Sequence, residues 1–332
     1  MSEQNVPVIQ VAGLKKWYRQ RGNDSLFSFG KKKWVQAVDG VSFDVYKGEV
    51  FGIIGESGCG KSTLGRLLVR LEQPSEGQVL FGGEDSGAIL KKNPKKFRRM
   101  VQTVFQNPFD TFTPNDTIGA IMTRPLKLHG IGADDAERMD MCVKALEEGG
   151  LVPAKDFLSR YPHELSGGQL QRISILRSML LNPLFLVVDE PVSMLDVSVR
   201  ADIINMLIDL CKTHETAILF ISHDIAVIRY ICHRVGVMYL GRIVEQGDTD
   251  TIIQNPKHPY TQALISNCAS IDFKEKEVIK IDGEPPSPVD PGPGCYFAGR
   301  CFKACEKCFK EYPPMRTLPD GRQVSCHCLE ED

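Results

Sequence analysis

Nine residues, "GESGCGKST" from Gly55 to Thr63, have the composition needed to grip a polyphosphate. Gly55, Gly58 and Gly60 let the backbone approach closely and turn its N–H groups toward phosphate oxygens. Lys61 adds a mobile positive charge for the β- and γ-phosphates, and the Ser62 hydroxyl is a hard oxygen ligand suited to Mg²⁺. Two further stretches offer matching chemistry. Asp189 and Glu190 end the apolar run "LFLVV" (184–188). The aspartate can hold magnesium through water, and the glutamate can orient and polarise an attacking water. Ser166, Gly167 and Gly168 open "LSGGQLQRISILRSML" (165–180), where small residues at a helix start make a second anion site. One nucleotide does not need both. An economical arrangement sets two such domains head to tail, each offering this stretch to the γ-phosphate held by the other's Lys61.

These residues need a rigid frame. The strand-like run "VFGII" (50–54) leads directly into the glycine loop, and "LGRLLVRLE" (64–72) follows it as a helix, the context in which the G-x-x-x-x-G-K-[ST] pattern is credible. "VFGII", "LFLVV" and "AILFI" (217–221) do not alternate, which suits strands covered on both faces and predicts a parallel sheet with crossover helices. "ADIINMLIDLCK" (201–212) places Ile203, Ile204, Leu207, Leu210 and Cys211 at the spacing of a helix with one buried stripe. Residues 108–163 lack strong strand signals and predict a mostly helical insert, with one helix near 136–149.

The totals bound the possibilities. A chain of 332 residues, 42% hydrophobic and 25% charged, has the composition of a large globular domain plus a smaller one. A formal net charge of -2 gives no general reason to expect a polyanion partner, and the run Lys91, Lys92, Lys95, Lys96, Arg98 and Arg99 reads as a solvated face. No apolar stretch reaches the roughly 18 residues needed to span a bilayer, and the polar start lacks the features of a signal peptide, so a cytosolic chain is expected. In a reducing compartment, 11 cysteines are poor candidates for disulfides. Six of them lie between Cys295 and Cys328, beyond "EPPSPVDPGPG" (284–294), whose prolines mark a stiff connector. That clustering favours a metal site, and the Cys305-x-x-Cys308 pair has zinc-like spacing.

Taken together, the loop at 55–63, "LSGGQ" at 165–169 and "LFLVVDE" at 184–190 resemble the ATP-binding cassette family. Gln106 in "VFQNP", "SMLD" at 193–196 and His223 in "FISHD" match in the same order. The resemblance implies an α/β fold: a P-loop NTPase cassette with a mixed sheet, a β-rich N-terminal part and a helical insert, plus a small loop-rich cysteine extension. It also implies ATP and Mg²⁺ as ligands. Gly55, Ser57, Gly58, Cys59, Gly60, Lys61, Ser62 and Thr63 are the expected nucleotide contacts, with Ser166, Gly167, Gly168, Gln169 and Asp196 at a dimer seam. Ser62, Gln106 and Asp189 are the expected magnesium ligands, while Glu190, His223 and Gln106 are the expected catalytic groups. An aromatic residue that stacks on adenine is expected at Tyr18, with Trp17 as its rival. Met194 stands where the family usually has alanine, a change expected to be tolerated.

"FQNPFDTFTPNDTI" (105–118), "NPKHPYTQALI" (255–265) and the cysteine tail resemble the ATPase subunits of bacterial dipeptide and oligopeptide importers; nickel importers share much of the pattern. That likeness implies a [4Fe–4S] cluster on Cys295, Cys301, Cys308 and Cys326, with Zn²⁺ as the alternative, Cys305 and Cys328 as surplus and His327 as a bystander. It further implies a nucleotide-binding domain over 1–265, with a helical and signature subdomain near 108–165, and a C-terminal extension over 266–332. The implied partners are a second cassette, favoured as a related sister subunit, two transmembrane permeases and, indirectly, an extracytoplasmic peptide-binding protein. The implied place is the cytoplasmic face of a bacterial cell membrane. A nucleic-acid or ribosome-associated cassette ATPase is the competing class, disfavoured because such chains carry two cassettes or a long coiled coil.

Overall fold

The computed structural model describes residues 6–20, 33–267 and 278–329. In chain order, β1 (Ile9–Arg19), β2 (Trp34–Val45) and β3 (Val50–Ile54) precede α1 (Lys61–Leu68) and β4 (Glu76–Phe81). The two-residue β5 (Glu84–Asp85), α2 (Ser86–Lys92), α3 (Pro94–Met100) and β6 (Val101–Val104) follow. A helical stretch comes next: α4 (Ile118–His129), α5 (Asp135–Glu148), α6 (Ala154–Ser159) and α7 (Gly167–Met179). Strands and helices then alternate through β7 (Phe185–Asp189), α8 (Val197–His214), β8 (Ala217–Ile221), α9 (Ile225–Ile231), β9 (Arg234–Tyr239) and β10 (Arg242–Asp248). The remaining elements are α10 (Thr249–Gln254), α11 (Pro259–Ser266), α12 (Glu306–Lys310), β11 (Arg316–Thr317) and β12 (Gln323–Val324). No helix among the described residues is long and apolar enough to cross a membrane.

The chain forms two compact units. One takes residues up to 9, 45–50 and 81–220; the other takes 10–44, 51–80 and 221 onward. In the first unit the strand order is β6-β7-β8, with β6 and β7 parallel and in register from Val101↔Phe185 to Val104↔Val188. The apolar β7 and β8 runs are buried along their length, as non-alternating strands require. The expected insert is helical: α4 to α7 pack Ile118, Met122, Leu126, Leu146, Leu170 and Ile173 into one core. Local chemistry sets their ends. Thr117 caps α4, Gly130 in the left-handed region closes it, and Asp134 caps α5 by accepting the Glu137 N–H at 2.8 Å. The helix expected near 136–149 is α5, one residue earlier at each end. The basic run lies on α2 and α3, with Lys91, Lys92, Lys95, Lys96 and Arg99 exposed and Arg98 half-buried, a largely solvated face as its composition predicts.

In the second unit the order is β3-β9-β10-β12-β11, alongside a sheet ordered β2-β1-β4. β3 and β9 are parallel, whereas β9 and β10 are antiparallel, so the sheet is mixed. The proline-rich connector has no regular helix and lies on β2: Val35 bridges Val289, and the Gln36 N–H reaches Pro288 O at 2.9 Å. Beyond it, β12 adds to the edge of β10 through Glu245↔Val324 and Gln246↔Gln323. The cysteine segment therefore belongs to the same compact unit as the glycine loop.

Candidate nucleotide site and cysteine cluster

β3 is buried at all five positions and aims the chain into the glycine loop. Gly55, Gly58 and Gly60 have φ of 154°, 79° and 107°. A Cβ at Gly55 would stand 2.1 Å from Met238 O, and one at Gly60 2.1 Å from Ala37 O, so neither position admits a side chain. A Cβ at Gly58 would meet open space, which makes that glycine a matter of backbone conformation alone. Lys61 starts α1 and is buried, with its ammonium donating to Gly55 O at 2.8 Å and Glu56 O at 3.0 Å. Cys59 is also buried, which pushes its thiol pKa up. Ser57, Gly58 and Ser62 lie exposed at the rim, and Thr63 is half-buried.

Tyr18 lies near the C-terminal end of β1 and its hydroxyl donates to the Glu72 carboxylate. Burial, together with Glu72, pushes its pKa up to about 12, while a hydrogen bond with Thr63 acts the other way. Trp17 is the next residue on the strand and so points to the opposite face. Its amide donates to Ser75 Oγ at 3.0 Å. Of the two aromatic candidates, Tyr18 is the one beside the loop.

The first unit gathers a second group of expected residues. Gln106 Nε2 donates to Glu190 Oε2 at 3.0 Å and lies 3.4 Å from Ser193 Oγ. Glu190 follows Asp189 at the end of β7 and has φ of 44°, an uncommon backbone setting for a non-glycine residue. Ser166 caps α7: its hydroxyl accepts the Gln169 N–H at 3.3 Å, and the Gln169 side chain accepts the Ser166 N–H at 3.0 Å. Gly167 is half-buried beside this cap; a Cβ at Gly168 would lie 2.6 Å from Val199 Cγ1, so α7 and α8 approach through that glycine. Asp196 occupies the first position before α8, yet its carboxylate makes no capping bond. Met194 is 67% exposed, so its side chain takes no part in this chain's own core. His223, in the second unit, is exposed between β8 and α9, next to the Asp224 that caps α9.

The tail gathers thiols around Cys308. The Cys295 N–H donates to Cys308 O at 2.7 Å, and Cys308 Sγ lies 3.5 Å from Cys305 Sγ and 3.8 Å from Cys328 Sγ. Cys305, Cys308 and Cys328 are within 4.8 Å of one another. Burial raises the Cys295 and Cys326 thiols to about 11 and also raises Cys301, and the nearness of other thiols acts in the same direction on all three. A thiol-only donor set of this kind suits iron–sulfur or zinc chemistry. The two surplus cysteines of the sequence reading thus sit in the tightest group, while His327 turns to Glu311 O at 3.1 Å.

Sequence reading missed what holds Glu56. Tyr260 and Arg300 both bond to it, across 204 and 244 residues, and no local spacing signals contacts at that separation.

Two family descriptions match the chain: "ABC transporter" over residues 38–193, and "Oligopeptide/dipeptide transporter, C-terminal region" over 244–308. It is 43% identical to the putative oligopeptide transport ATP-binding protein YkfD of Bacillus subtilis, over 97% of this chain and 95% of that one. With the dipeptide transport ATP-binding protein DppF of Haemophilus influenzae it shares 42% identity, over 99% and 98% of the two chains. Among solved structures, the ATP-binding cassette MJ0796, described as a dimer in a post-hydrolysis state bound to ADP and Pi, aligns with a TM-score of 0.63 and 26% identity. That alignment covers 73% of this chain and 98% of the cassette. The chain belongs to the ABC transporter family, in the branch of ATP-binding proteins that carries the oligopeptide/dipeptide transporter C-terminal region.

Proposed function

We propose that this ABC-type ATPase powers the import of di- and oligopeptides across a bacterial cytoplasmic membrane, attached to the cytoplasmic face through two permease subunits. The observation that carries the peptide reading is the match of residues 244–308 to the oligopeptide/dipeptide transporter C-terminal region, within relatives alike over nearly the whole chain. Two cassettes meet head to tail, the second a related sister subunit, and an extracytoplasmic binding protein delivers the peptide. No nucleic acid is involved.

The roles follow from residue chemistry. The 55–60 backbone and Lys61 grip the phosphates, Thr63 supports the loop, and Tyr18 stacks on the base. Ser62, Gln106 and Asp189 are oxygen donors suited to magnesium, which when bound neutralises phosphate charge. Glu190 is the general base, and the 3.0 Å hydrogen bond from Gln106 orients its carboxylate. His223 engages the γ-phosphate. Ser166, Gly167, Gly168, Gln169 and Asp196 complete the pocket of the opposite cassette, consistent with an Asp196 carboxylate not spent on capping. We assign residues 1–265 to the cassette and 266–332 to the extension.

Cys295, Cys301, Cys308 and Cys326 hold a [4Fe–4S] cluster in this reading, whose iron–thiolate bonds replace an apolar core in a loop-rich segment. The 3.5 Å and 3.8 Å sulfur separations favour zinc on Cys305, Cys308 and Cys328 as the second reading, because a tetrahedral ion with bonds of about 2.3 Å spaces its ligands about 3.8 Å apart. Iron, sulfide and zinc analysis of the purified complex separates them. For transport, the chain reconstituted with its permeases and binding protein in vesicles should hydrolyse ATP faster on adding a dipeptide or a pentapeptide. Stimulation by Ni²⁺ and not by peptide would overturn the cargo.

A further inference from the structure

Glu56 lies inside the phosphate loop, and each of its polar groups is occupied. Its carbonyl accepts from Lys61 Nζ at 3.0 Å, and its N–H donates to the Tyr260 hydroxyl at 2.9 Å. Its carboxylate receives Arg300 Nη1 at 3.0 Å and 3.2 Å. Arg300 ends the turn Ala298–Arg300, immediately before Cys301. That turn is fixed from several sides. The buried Phe297 ring meets Tyr239 at 5.2 Å and Tyr260 at 5.4 Å, both edge-on, and Arg300 Nη1 also reaches the Tyr239 hydroxyl at 3.2 Å. The ion pair is largely enclosed, with the arginine side chain 11% and the glutamate 25% exposed.

An acid in a loop that receives a polyanion is electrostatically unfavourable unless something neutralises it. We propose that Arg300 is a positioning residue for the phosphate loop: by neutralising and holding the Glu56 carboxylate, it keeps the loop receptive to the ATP phosphates. Arg300 acts through Glu56 and not on the nucleotide. The inference rests on residues 55–63 being the ATP site. It gives the cysteine segment a consequence at that site, since the turn carrying Arg300 is closed at both ends by it: Ala298 N–H to Cys295 O at 3.0 Å, and Cys301 N–H to Ala298 O at 3.3 Å.

The test measures the Kd of a fluorescent ATP analogue, and kcat and KM for ATP, on the full chain in its assembled complex. Arg300→Ala should raise Kd and KM about tenfold at low salt, the scale of one uncompensated charge beside an anion, and leave kcat within about twofold. Raising the salt should shrink the defect, because screening weakens the repulsion. Adding Glu56→Gln to Arg300→Ala should bring binding back to that of Glu56→Gln alone, since no charge is left to neutralise. Arg300→Lys should stay within about threefold of wild type. An unchanged Kd in Arg300→Ala overturns the proposal. So does a defect that Glu56→Gln fails to suppress, which would mark general damage to the tail; unchanged metal content and melting temperature in the variants report that independently. If the wild-type complex bound no ATP analogue, the ATP-site reading itself would fall, a different result from any of these.

Discussion

Acidification should loosen the frame beneath the phosphate loop through one histidine. His258 is 1% exposed and caps α11, its Nδ1 accepting the Tyr260 N–H at 3.0 Å, so that nitrogen must carry no proton. Burial lowers the imidazole from 6.5 to about 3. Unfolded chains take up this proton below about pH 6.5, whereas the folded chain resists until about pH 3; the contribution is therefore present at neutral pH and lost as pH falls. The loss is about 1.4 kcal/mol per pH unit, or about 2 kcal/mol by pH 5. Neighbouring Glu245, which accepts the His258 N–H at 2.9 Å and pairs with Arg322 at 3.4 Å, has a carboxyl raised by burial, and that group works in the opposite direction. A comparison isolates the histidine. Urea denaturation of wild type and His258→Asn, which keeps a capping acceptor without the titration, should show the stability gap narrowing by about 2 kcal/mol between pH 7.5 and pH 5. Two pH profiles that run parallel would refute the reasoning.

Other expectations follow from the same geometry. Glu190→Gln should lower phosphate release by about 10²- to 10⁴-fold while ATP binding persists, because the amide still fits beside Gln106 but cannot take a proton; unaltered turnover in the assembled transporter would remove Glu190 from the base role. Gly55→Ala should abolish nucleotide binding, measured by equilibrium dialysis, since its Cβ would fall 2.1 Å from Met238 O; Gly58→Ala should be milder, straining only the backbone. Arg322→Met should cost about 3 kcal/mol in a denaturant titration, for it leaves the wholly buried Glu245 carboxylate with backbone donors but no cation, and a loss under 0.5 kcal/mol would show that the pair is dispensable.

Much of the candidate nucleotide site was legible because its residues are local in sequence. β3, the glycine turn and α1 form one continuous signal, and the Ser166 cap with Gln169 three residues on is a pattern readable by eye. The apolar runs at 184–188 and 217–221 became strands because burial on both faces leaves no alternation to misread. What stayed hidden was long-range. Nothing local links Glu56 in the loop to Arg300 among the cysteines, since their meeting depends on how the tail folds back across 244 residues. The thiol geometry was equally non-local: the family resemblance implies Cys301 and Cys326 as ligands, whereas the sulfurs of Cys305, Cys308 and Cys328 lie within 4.8 Å of one another, Cys328 arriving from 20 residues beyond Cys308.

The short β12 has a consequence for handling the protein. Without Gln323 and Val324, β10 would present bare N–H and C=O groups along its outer margin, a template on which another molecule's strand could grow. A preparation trimmed ahead of the cysteines, made to obtain a simpler cassette, would therefore clump edge to edge. The tail serves as a hem for the sheet, whatever its sulfurs bind.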